Sequence, residues 1–275
     1  MISAARPPLR ALPSHAAWRI RFLGNLVRRD LAARYKGSVF GWLWPLLVQL
    51  SQLLVFTYLF ASIFKVRLDV PGFPASALTY GLWLFTGLVM WNMFTAGILG
   101  AASTIVSQAN VVKKVVFPLA LMPLVPVGSA LVEGLAGFAV VIVLAVAISH
   151  QLHAAVLLLP LVVAVQVVLT AGVAYFVAGL TVFMRDVPQM LGPLTLLAFY
   201  LTPIVYPATR IPPSVAWIVT LNPIAITVEA SRSLILTGSL SHPRALVLAA
   251  IVATIVFVAG WRFFRRVRPI FADIL

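Results

Sequence analysis

A run of 26 residues, 39–64, contains no Asp, Glu, Lys or Arg. As a helix this run would be about 39 Å long, whereas the core of a bilayer is roughly 30 Å thick. Four basic residues come just before it: Arg28, Arg29, Arg34 and Lys36. Positive charge before a first span keeps that end in the cytoplasm. The run therefore predicts a first membrane span whose N-terminal end lies inside the cell.

The composition is that of a membrane protein. Hydrophobic residues make up 62% of the chain and charged residues 9%, whereas a soluble domain carries about 25% charged residues. The basic N-terminal segment lacks the compact apolar run of a cleavable signal peptide, so we expect the first span to be retained as an anchor. The net charge of +14 comes from cations near the ends of apolar segments, where they meet anionic lipids. No separate basic domain indicates nucleic-acid binding.

Five further apolar segments predict six spans in total. They cover about 78–101, 119–148, 155–183, 191–206 and 244–261. The segment 207–243 is apolar but interrupted by prolines, and irregular backbone at membrane depth has to be buried in protein or face a water-filled cavity. We therefore expect two re-entrant helices between the fifth and sixth spans. Apolar and basic positions along residues 18–36 favour an interfacial helix, with a solvated cytoplasmic helix as the alternative.

The predicted fold class is thus an all-α membrane protein in three parts. Residues 1–38 form a cytoplasmic N-terminal segment with the interfacial helix, residues 39–262 a six-span transmembrane domain, and residues 263–275 a cytoplasmic C-terminal tail. With both termini in the cytoplasm, fifteen of the twenty Lys and Arg residues lie on inner segments and five on outer ones. This distribution follows the positive-inside rule and supports the predicted orientation.

The chain carries no recognisable catalytic motif. It has no G-x-x-x-x-G-K-[ST] sequence to cradle a phosphate, no Ser–His–acid arrangement, no cysteine and no metal-ligand spacing. We therefore expect no catalytic residue, metal site or cofactor in it, and uphill transport would need a partner or an ion gradient. Ion coupling usually uses several ionisable groups inside the membrane, and only Glu133 lies clearly within a span. The favoured interpretation of Glu133 is a helix-packing acid that is hydrogen-bonded to a neighbour.

Two charged pairs have both a structural and a functional interpretation. Glu229 and Arg232 are three residues apart, so we expect them to pair on one face of a helix in the re-entrant region. There they would stabilise the local structure or line the exit of a transport path. Arg185 and Asp186 come at the end of the fourth span, where they form a local ion pair or a docking point on the cytoplasmic face.

Several stretches in colinear order resemble one family. In the N-terminal half they are Arg29-Asp30-Leu31, Arg34-Tyr35-Lys36-Gly37-Ser38 leading into Gly41-Trp42-Leu43-Trp44-Pro45, Gly87 to Asn92, and Asn110 with Val112-Lys113-Lys114 and Phe117-Pro118. In the C-terminal half they are Arg185-Asp186-Val187, Leu201 to Pro207, Leu221 to Ile224, Glu229 and Arg232. The family comprises the permease subunits of polysaccharide and polyol-phosphate ABC exporters in the ABC-2 superfamily, including O-antigen, capsular and teichoic-acid export permeases. The resemblance covers roughly residues 25–270.

The resemblance implies a transport subunit rather than an enzyme. A homodimer of this chain would bind two copies of a separate ATPase, which would hold the ATP and Mg²⁺. The complex would move a lipid-linked, O-antigen-like polysaccharide from the cytoplasmic to the outer side of the bacterial inner membrane. One alternative is an exporter of the same architecture for a capsular or teichoic polymer, a lipid or a drug. Another is a membrane-embedded transferase or ligase, which would need clustered acids or histidines that the sequence lacks.

The resemblance also implies roles for two groups of residues. The interfacial or gate helix on the cytoplasmic surface would carry Arg29, Arg34, Tyr35 and Lys36. The loop after the second span, with Asn110, Lys113 and Lys114, would dock the ATPase. We further predict that Arg185 and Asp186 lie near this contact and take part in coupling.

A polysaccharide channel needs side chains that bind sugar units only weakly. Aromatic rings stack on apolar faces, and binding at each step has to be weak enough for release. We therefore predict that the first and fifth spans line a channel at the dimer interface, through Tyr58, Gln52, Phe199, Tyr200 and Thr202. The alternative is that these side chains are packed inside the protein or face lipid.

Overall fold

The computed structural model describes residues 15–63, 65, 68, 70–108, 118–214 and 216–274, and every regular element in these residues is a helix. Four helices in them are long and apolar enough to cross a membrane: Ala77–Thr104, Leu119–Ser149, Ala154–Phe183 and Pro243–Ile270. Two shorter apolar helices, Trp44–Phe60 and Val187–Leu201, lie near the predicted first and fifth spans. The all-α membrane fold is confirmed, and its apolar helices follow the predicted order.

The first two helices are separated by a bend that contains glycine. Helix α1 covers His15–Arg34, and helix α2 covers Trp44–Thr57 and continues as a π-helical turn over Tyr58–Ile63. Between them Gly37 and Gly41 have φ angles of 80° and 48°, a region that residues with a side chain rarely adopt. Helix α2 begins later than the predicted span because the chain turns here before it becomes helical.

Helix α3, Ala77–Thr104, is the centre of the bundle. Its N-terminus is capped by the Ser76 hydroxyl, which accepts a hydrogen bond of 3.3 Å from the Thr79 N–H. Most of its side chains are buried, because it packs against α2 and four later helices. These are α4 over Leu124–Ser149, α5 over Leu159–Phe183, α6 over Val187–Leu201 and α8 over Pro223–Arg232.

Helix α9, Pro243–Val267, packs closely along α5. A Cβ atom on Gly260 would lie 2.1 Å from the carbonyl oxygen of Gly172, so the two backbones can approach each other only because neither residue has a side chain. Small residues have this role in membrane helix pairs, where van der Waals contact replaces the hydrophobic effect. The outer face of α9 exposes apolar side chains such as Val247 and Ile251 and is suited to contact lipid.

Helix α6 starts and ends earlier than the predicted fifth span of 191–206. It begins at Val187, with Pro188 in its first turn, where a missing N–H costs no helical hydrogen bond. It ends at Leu201, because a residue before proline disfavours helical backbone and Thr202 is accordingly extended. With 15 residues it is about 22 Å long, shorter than the core of a bilayer.

The described residues of the proline-rich segment 207–243 contain two α-helices, and their re-entrance into the membrane stays a prediction. Helix α7 covers Ala216–Thr220, and α8 is followed by a π-helical turn over Ser233–Thr237. Asn222 caps α8, because its Oδ1 accepts a hydrogen bond of 2.9 Å from the N–H of Ile224. Helix α8 packs against α3, α5 and α9 and therefore belongs to the interior of the bundle.

Helix α1 and the C-terminal helix α10, Phe271–Ile274, lie at the same end of the bundle. Helix α1 packs against the start of α4, while Phe271 shares a buried cluster with Met122, just before α4. We name this the basic end, because it exposes Arg28, Arg29, Arg262, Arg265, Arg266 and Arg268. At the opposite end, the turn after α4 meets the segment after α8, where His153 lies against Gly238.

Candidate functional site

Two carboxylates join helix α1 to helix α4. The hydroxyl of Ser129 on α4 donates a hydrogen bond of 2.6 Å to Oδ2 of Asp30 on α1. In the reverse direction, the Tyr35 hydroxyl donates a hydrogen bond of 2.6 Å to Oε1 of Glu133 on α4. The Arg34 guanidinium lies between the acids, with Nε 2.9 Å from Asp30 and Nη1 3.7 Å from Glu133. Together these contacts fix the position of α1 along α4.

Glu133 thus has the hydrogen-bonded neighbour that a helix-packing acid was expected to have. Its side chain is only 15% exposed. Burial, together with the hydrogen bond and the charge of Glu133, raises the pKa of the Tyr35 hydroxyl. Tyr35 therefore keeps its proton at neutral pH and stays the donor. The other two predicted gate-helix residues, Arg29 and Lys36, are exposed and form no ion pair within the described residues.

A groove lined by polar as well as apolar side chains runs along helix α3. Its first part, about 410 Å³, lies between α2, α3 and α4 and is lined by Arg34, Tyr35, Gln49 and Glu133. Its second part, about 350 Å³, lies between α2, α3 and α6 and is lined by Gln52, Phe199 and Tyr200. Both parts are lined by Asn92 and Thr95 and therefore lie next to each other. We name the whole surface the α3 groove.

The middle of the α3 groove is polar but uncharged. The Asn92 Nδ2 donates a hydrogen bond of 3.1 Å to Gln52 Oε1, which joins α3 to α2 through side chains that an apolar bundle does not otherwise need. Amide groups both donate and accept hydrogen bonds, as sugar hydroxyls do. Charged groups of the groove, Arg34 and Glu133, lie in its first part, next to α1.

The structure brings three of the five predicted channel residues together. Gln52, Phe199 and Tyr200 line the second part of the α3 groove. The ring of Phe199 lies 5.9 Å from that of Phe56 and 5.6 Å from that of Trp91. Phe199 is therefore only 7% exposed and forms the floor of the groove, whereas Tyr200 is 56% exposed.

The other two predicted channel residues do not line the groove. Thr202 is fully buried, since its hydroxyl donates a hydrogen bond of 2.7 Å to the Ala198 carbonyl and accepts one of 3.0 Å from Asn222 Nδ2. The prediction that Thr202 faces a channel is wrong, because the residue ties the end of α6 to the start of α8. Tyr58 is 65% exposed in the π-helical turn, and its role in a channel stays a prediction.

Arg232 is a buried cation that joins three parts of the fold. Its Nε donates a hydrogen bond of 3.1 Å to the carbonyl of Trp83, and Nη1 and Nη2 donate bonds of 2.8 and 2.7 Å to the carbonyls of Pro203 and Ile204. The guanidinium carbon also lies 3.5 Å from the centroid of a Trp83 ring, which adds a cation–π contact. The predicted pair with Glu229 is present at 3.5 Å, but the carbonyl groups are the closer partners.

The predicted coupling residues fall into two groups. Asn110, Lys113 and Lys114 lie outside the described residues. Arg185 and Asp186 are exposed in the turn between α5 and α6, and no ion pair joins them within the part of the chain that the structure describes. Both charges of this turn are therefore accessible to a partner protein.

Comparison with known proteins identifies the family of this chain. The family model described as ABC-2 type transporter matches residues 22–236. The chain belongs to the ABC-2 type transporter family. This ABC-2 type transporter is 28% identical over 254 residues to the O-antigen export system permease protein RfbA of Klebsiella pneumoniae, a match that covers 91% of this chain and 93% of that protein. It is 29% identical over 251 residues to the protein of the same name from Myxococcus xanthus, over 90% of this chain and 93% of the relative.

These relatives confirm the resemblance to ABC-2 permeases of polysaccharide export. The matched region of this ABC-2 type transporter contains the whole α3 groove and Arg232. Sequence reasoning missed Asn92 and Thr95 as groove residues, although a polar Asn inside an apolar span was a usable signal. Within its described residues, no group of three His, Cys, Asp or Glu side chains is placed to hold a metal ion.

Proposed function

We propose that this chain is the transmembrane subunit of an ATP-driven ABC exporter. Its cargo is a lipid-linked, O-antigen-like polysaccharide, which moves from the cytoplasmic to the outer side of the bacterial inner membrane. The α3 groove is the observation that carries this proposal, since it brings polar and aromatic side chains together on one open surface of a largely apolar bundle. The names of the two relatives, both O-antigen export permeases, support the choice of cargo.

The α3 groove suits a sugar chain better than a lipid chain or a drug. Gln52 and Asn92 present amide groups, and Phe199 and Tyr200 present rings in a T-shaped pair 5.4 Å apart. These four side chains can exchange hydrogen bonds and ring contacts with successive sugar units and carry no fixed charge that would hold one of them, since the charged groups of the groove lie in its first part. The groove is open on one side, and a second copy of the chain would complete a closed channel in a homodimer.

The proposed topology has six spans and both termini in the cytoplasm. The basic end faces the cytoplasm, as the positive-inside rule requires. The short helices α2 and α6 then cross the membrane together with the turns that flank them, or where the bilayer is locally thin. Helices α7 and α8 re-enter from the outer side, where buried Arg232 satisfies carbonyl groups that irregular backbone leaves unpaired.

Energy for transport comes from a separate ATPase, two copies of which bind the homodimer and hold the ATP and Mg²⁺. Asn110, Lys113 and Lys114 contact this ATPase, together with the exposed charges of Arg185 and Asp186. The proposal thus places no catalytic residue and no cofactor in this chain.

Deletion of the gene in its host tests the proposed function. Surface polysaccharide should be lost and lipid-linked chains should accumulate on the cytoplasmic side, and the wild-type gene should restore export. A chain with Asn92→Leu, which keeps the size of the residue but loses its amide, should restore it poorly. Unchanged surface polysaccharide in the deletion strain would refute the proposal. Retention of a capsular or teichoic polymer, a lipid or a drug would instead identify an alternative cargo.

A further inference from the structure

A buried aromatic cluster lies at the basic end, away from the α3 groove. We name it the C-terminal cluster and define it by Ile105, Met122, Tyr175, Phe264 and Phe271. All five side chains are at most 2% exposed. The Tyr175 ring lies 5.4 Å from Phe264, and Phe264 lies 5.5 Å from Phe271. Phe271 enters the cluster because the chain turns back after α9, and its neighbours Arg268 and Ile270 stay exposed.

The C-terminal cluster joins every chain segment that reaches the basic end from α3, α4, α5 and α9. Ile105 directly follows α3, and Met122 lies two residues before the start of α4. The Tyr175 hydroxyl of α5 donates a hydrogen bond of 2.9 Å to the Ala120 carbonyl in the 3-10 turn before α4. Phe271 also lies 6.5 Å from the ring of Phe183, the last residue of α5. The exposed turn with Arg185 and Asp186 begins immediately after it.

Two features make this cluster able to transmit a displacement. Close-packed side chains tend to move together, because even a small gap between them reduces the van der Waals attraction. In addition, Gly172 and Gly260 bring the backbones of α5 and α9 into direct contact, and the two helices pack along each other. A force on the α5–α6 turn or on the start of α4 therefore reaches α3, α5 and α9 together, through packed contacts of the kind that carry coupling between sites.

We propose that Tyr175 and Phe271 are positioning residues for energy coupling. The C-terminal turn clamps the end of α3, the start of α4 and the α5–α6 turn to α9, so that the ATPase moves these segments as one body. The clamp rests on the proposed function, because it needs an ATPase bound at the basic end. A weaker clamp should leave ATP hydrolysis unchanged, but a smaller part of the movement of the ATPase should be transmitted to the membrane helices.

The clamp is tested in membrane vesicles that hold this chain and the ATPase that co-purifies with it from its host, loaded with lipid-linked polysaccharide from the host. The readout is the number of ATP molecules hydrolysed for each chain exported. Tyr175→Phe removes only the hydroxyl that bonds Ala120, and Phe271→Ala removes the ring. Both should raise the ratio several-fold with the ATPase still bound, whereas Phe271→Leu, which keeps apolar volume, should restore most of the coupling.

Phe176→Ala is the matched control. Phe176 is next to Tyr175 in sequence and pairs with Phe263 of α9 at 5.0 Å, so it joins the same two helices but stands outside the C-terminal cluster. Its ratio should stay at the wild-type value. An unchanged ratio in Tyr175→Phe would overturn the clamp even if Phe271→Ala fails to fold. Absence of ATP-driven export by the wild-type chain would instead refute the proposed function itself.

Discussion

Tyr35 and Glu133 are 98 residues apart in sequence, and the Tyr35 hydroxyl donates a hydrogen bond of 2.6 Å to Oε1 of Glu133. The bond crosses from the end of α1 to the middle of α4 and lines the first part of the α3 groove. It therefore connects the N-terminal helix directly to the proposed path of the cargo.

Tyr35→Phe should loosen α1 without removing its ring. A hydrogen bond to a charged group contributes about 1.5–3 kcal/mol, and partial exposure of Tyr35 places the expected loss at about 1.5 kcal/mol. The melting temperature of the purified protein in detergent should fall by a few degrees, and proteolysis within α1 should become faster. Lys36→Gln, at an exposed neighbour without an ion pair in the described residues, is the control. Equal protease resistance of Tyr35→Phe and wild type would contradict the prediction.

The same bond predicts a pH dependence. The pKa of Tyr35 is raised by burial and by Glu133, so its contribution to stability is fully present below the unfolded value of about 10 and is lost only as pH rises through the higher folded value. The difference in melting temperature between wild type and Tyr35→Phe should therefore be constant between about pH 7 and about pH 9. A difference that shrinks within this window would show that the hydroxyl loses its proton early.

Arg232→Lys should destabilise the protein strongly although it keeps the charge. Lysine cannot donate to three carbonyl groups in the planar arrangement that the guanidinium provides, and each buried carbonyl left without a donor costs about 1–3 kcal/mol. Gly87→Ala should act similarly, because a Cβ there would lie 2.4 Å from Nη2 of Arg232. The measurement is the fraction of monodisperse protein after heating. Glu229→Gln should change it little, since the Glu229 side chain is 45% exposed; a collapse there would mean that the ion pair matters more than the carbonyl groups.

Tyr200→Cys should react with a water-soluble thiol reagent. The chain has no cysteine, so labelling has no background, and Tyr200 stands exposed at the α3 groove. Val247→Cys is the matched control, because Val247 is 60% exposed on the outer face of α9, where lipid excludes such a reagent. Equal labelling at both positions, or none at Tyr200 during ATP turnover, would argue against a water-filled groove.

Reporter fusions should place residues 151 and 275 on opposite sides of the membrane. Residue 151 lies in the turn between α4 and α5 at the opposite end of the bundle, and α10 lies at the basic end. A phosphatase that is active only outside the cytoplasm should work after Gln151 and fail after Leu275. Activity at Leu275 would invert the proposed topology and exclude ATPase docking at the basic end.

Replacement of Lys113 and Lys114 by Glu should uncouple ATP hydrolysis from export. Charge reversal at a docking contact costs binding because like charges then face each other. The double variant should reach the membrane in normal amount but recover less ATPase on co-purification. Reversal of Arg210, an exposed cation of the segment proposed to lie outside, serves as the control. Normal recovery and export by the Lys113/Lys114 variant would place the docking site elsewhere.

The helices and their order could be predicted from the sequence, because the property that specifies them is local. An uncharged run such as 39–64 has to satisfy its backbone hydrogen bonds internally in lipid, which leaves a helix as its structure. Resemblance to a family was also visible in short local motifs, and the comparisons support it. Element boundaries were less certain, as α2 and α6 show, because Gly37, Gly41 and Pro203 move the start or end of a helix by several residues.

The tertiary structure decided which side chains meet. Nothing near Arg232 in sequence indicates that carbonyl groups of Trp83, Pro203 and Ile204 are its partners, since Glu229 is the nearest opposite charge. Thr202 looked like a channel residue until its position beside Asn222 showed that it is buried. The physical reason is that periodicity specifies a helix, whereas the side of that helix that faces a partner depends on packing against segments far away in the chain.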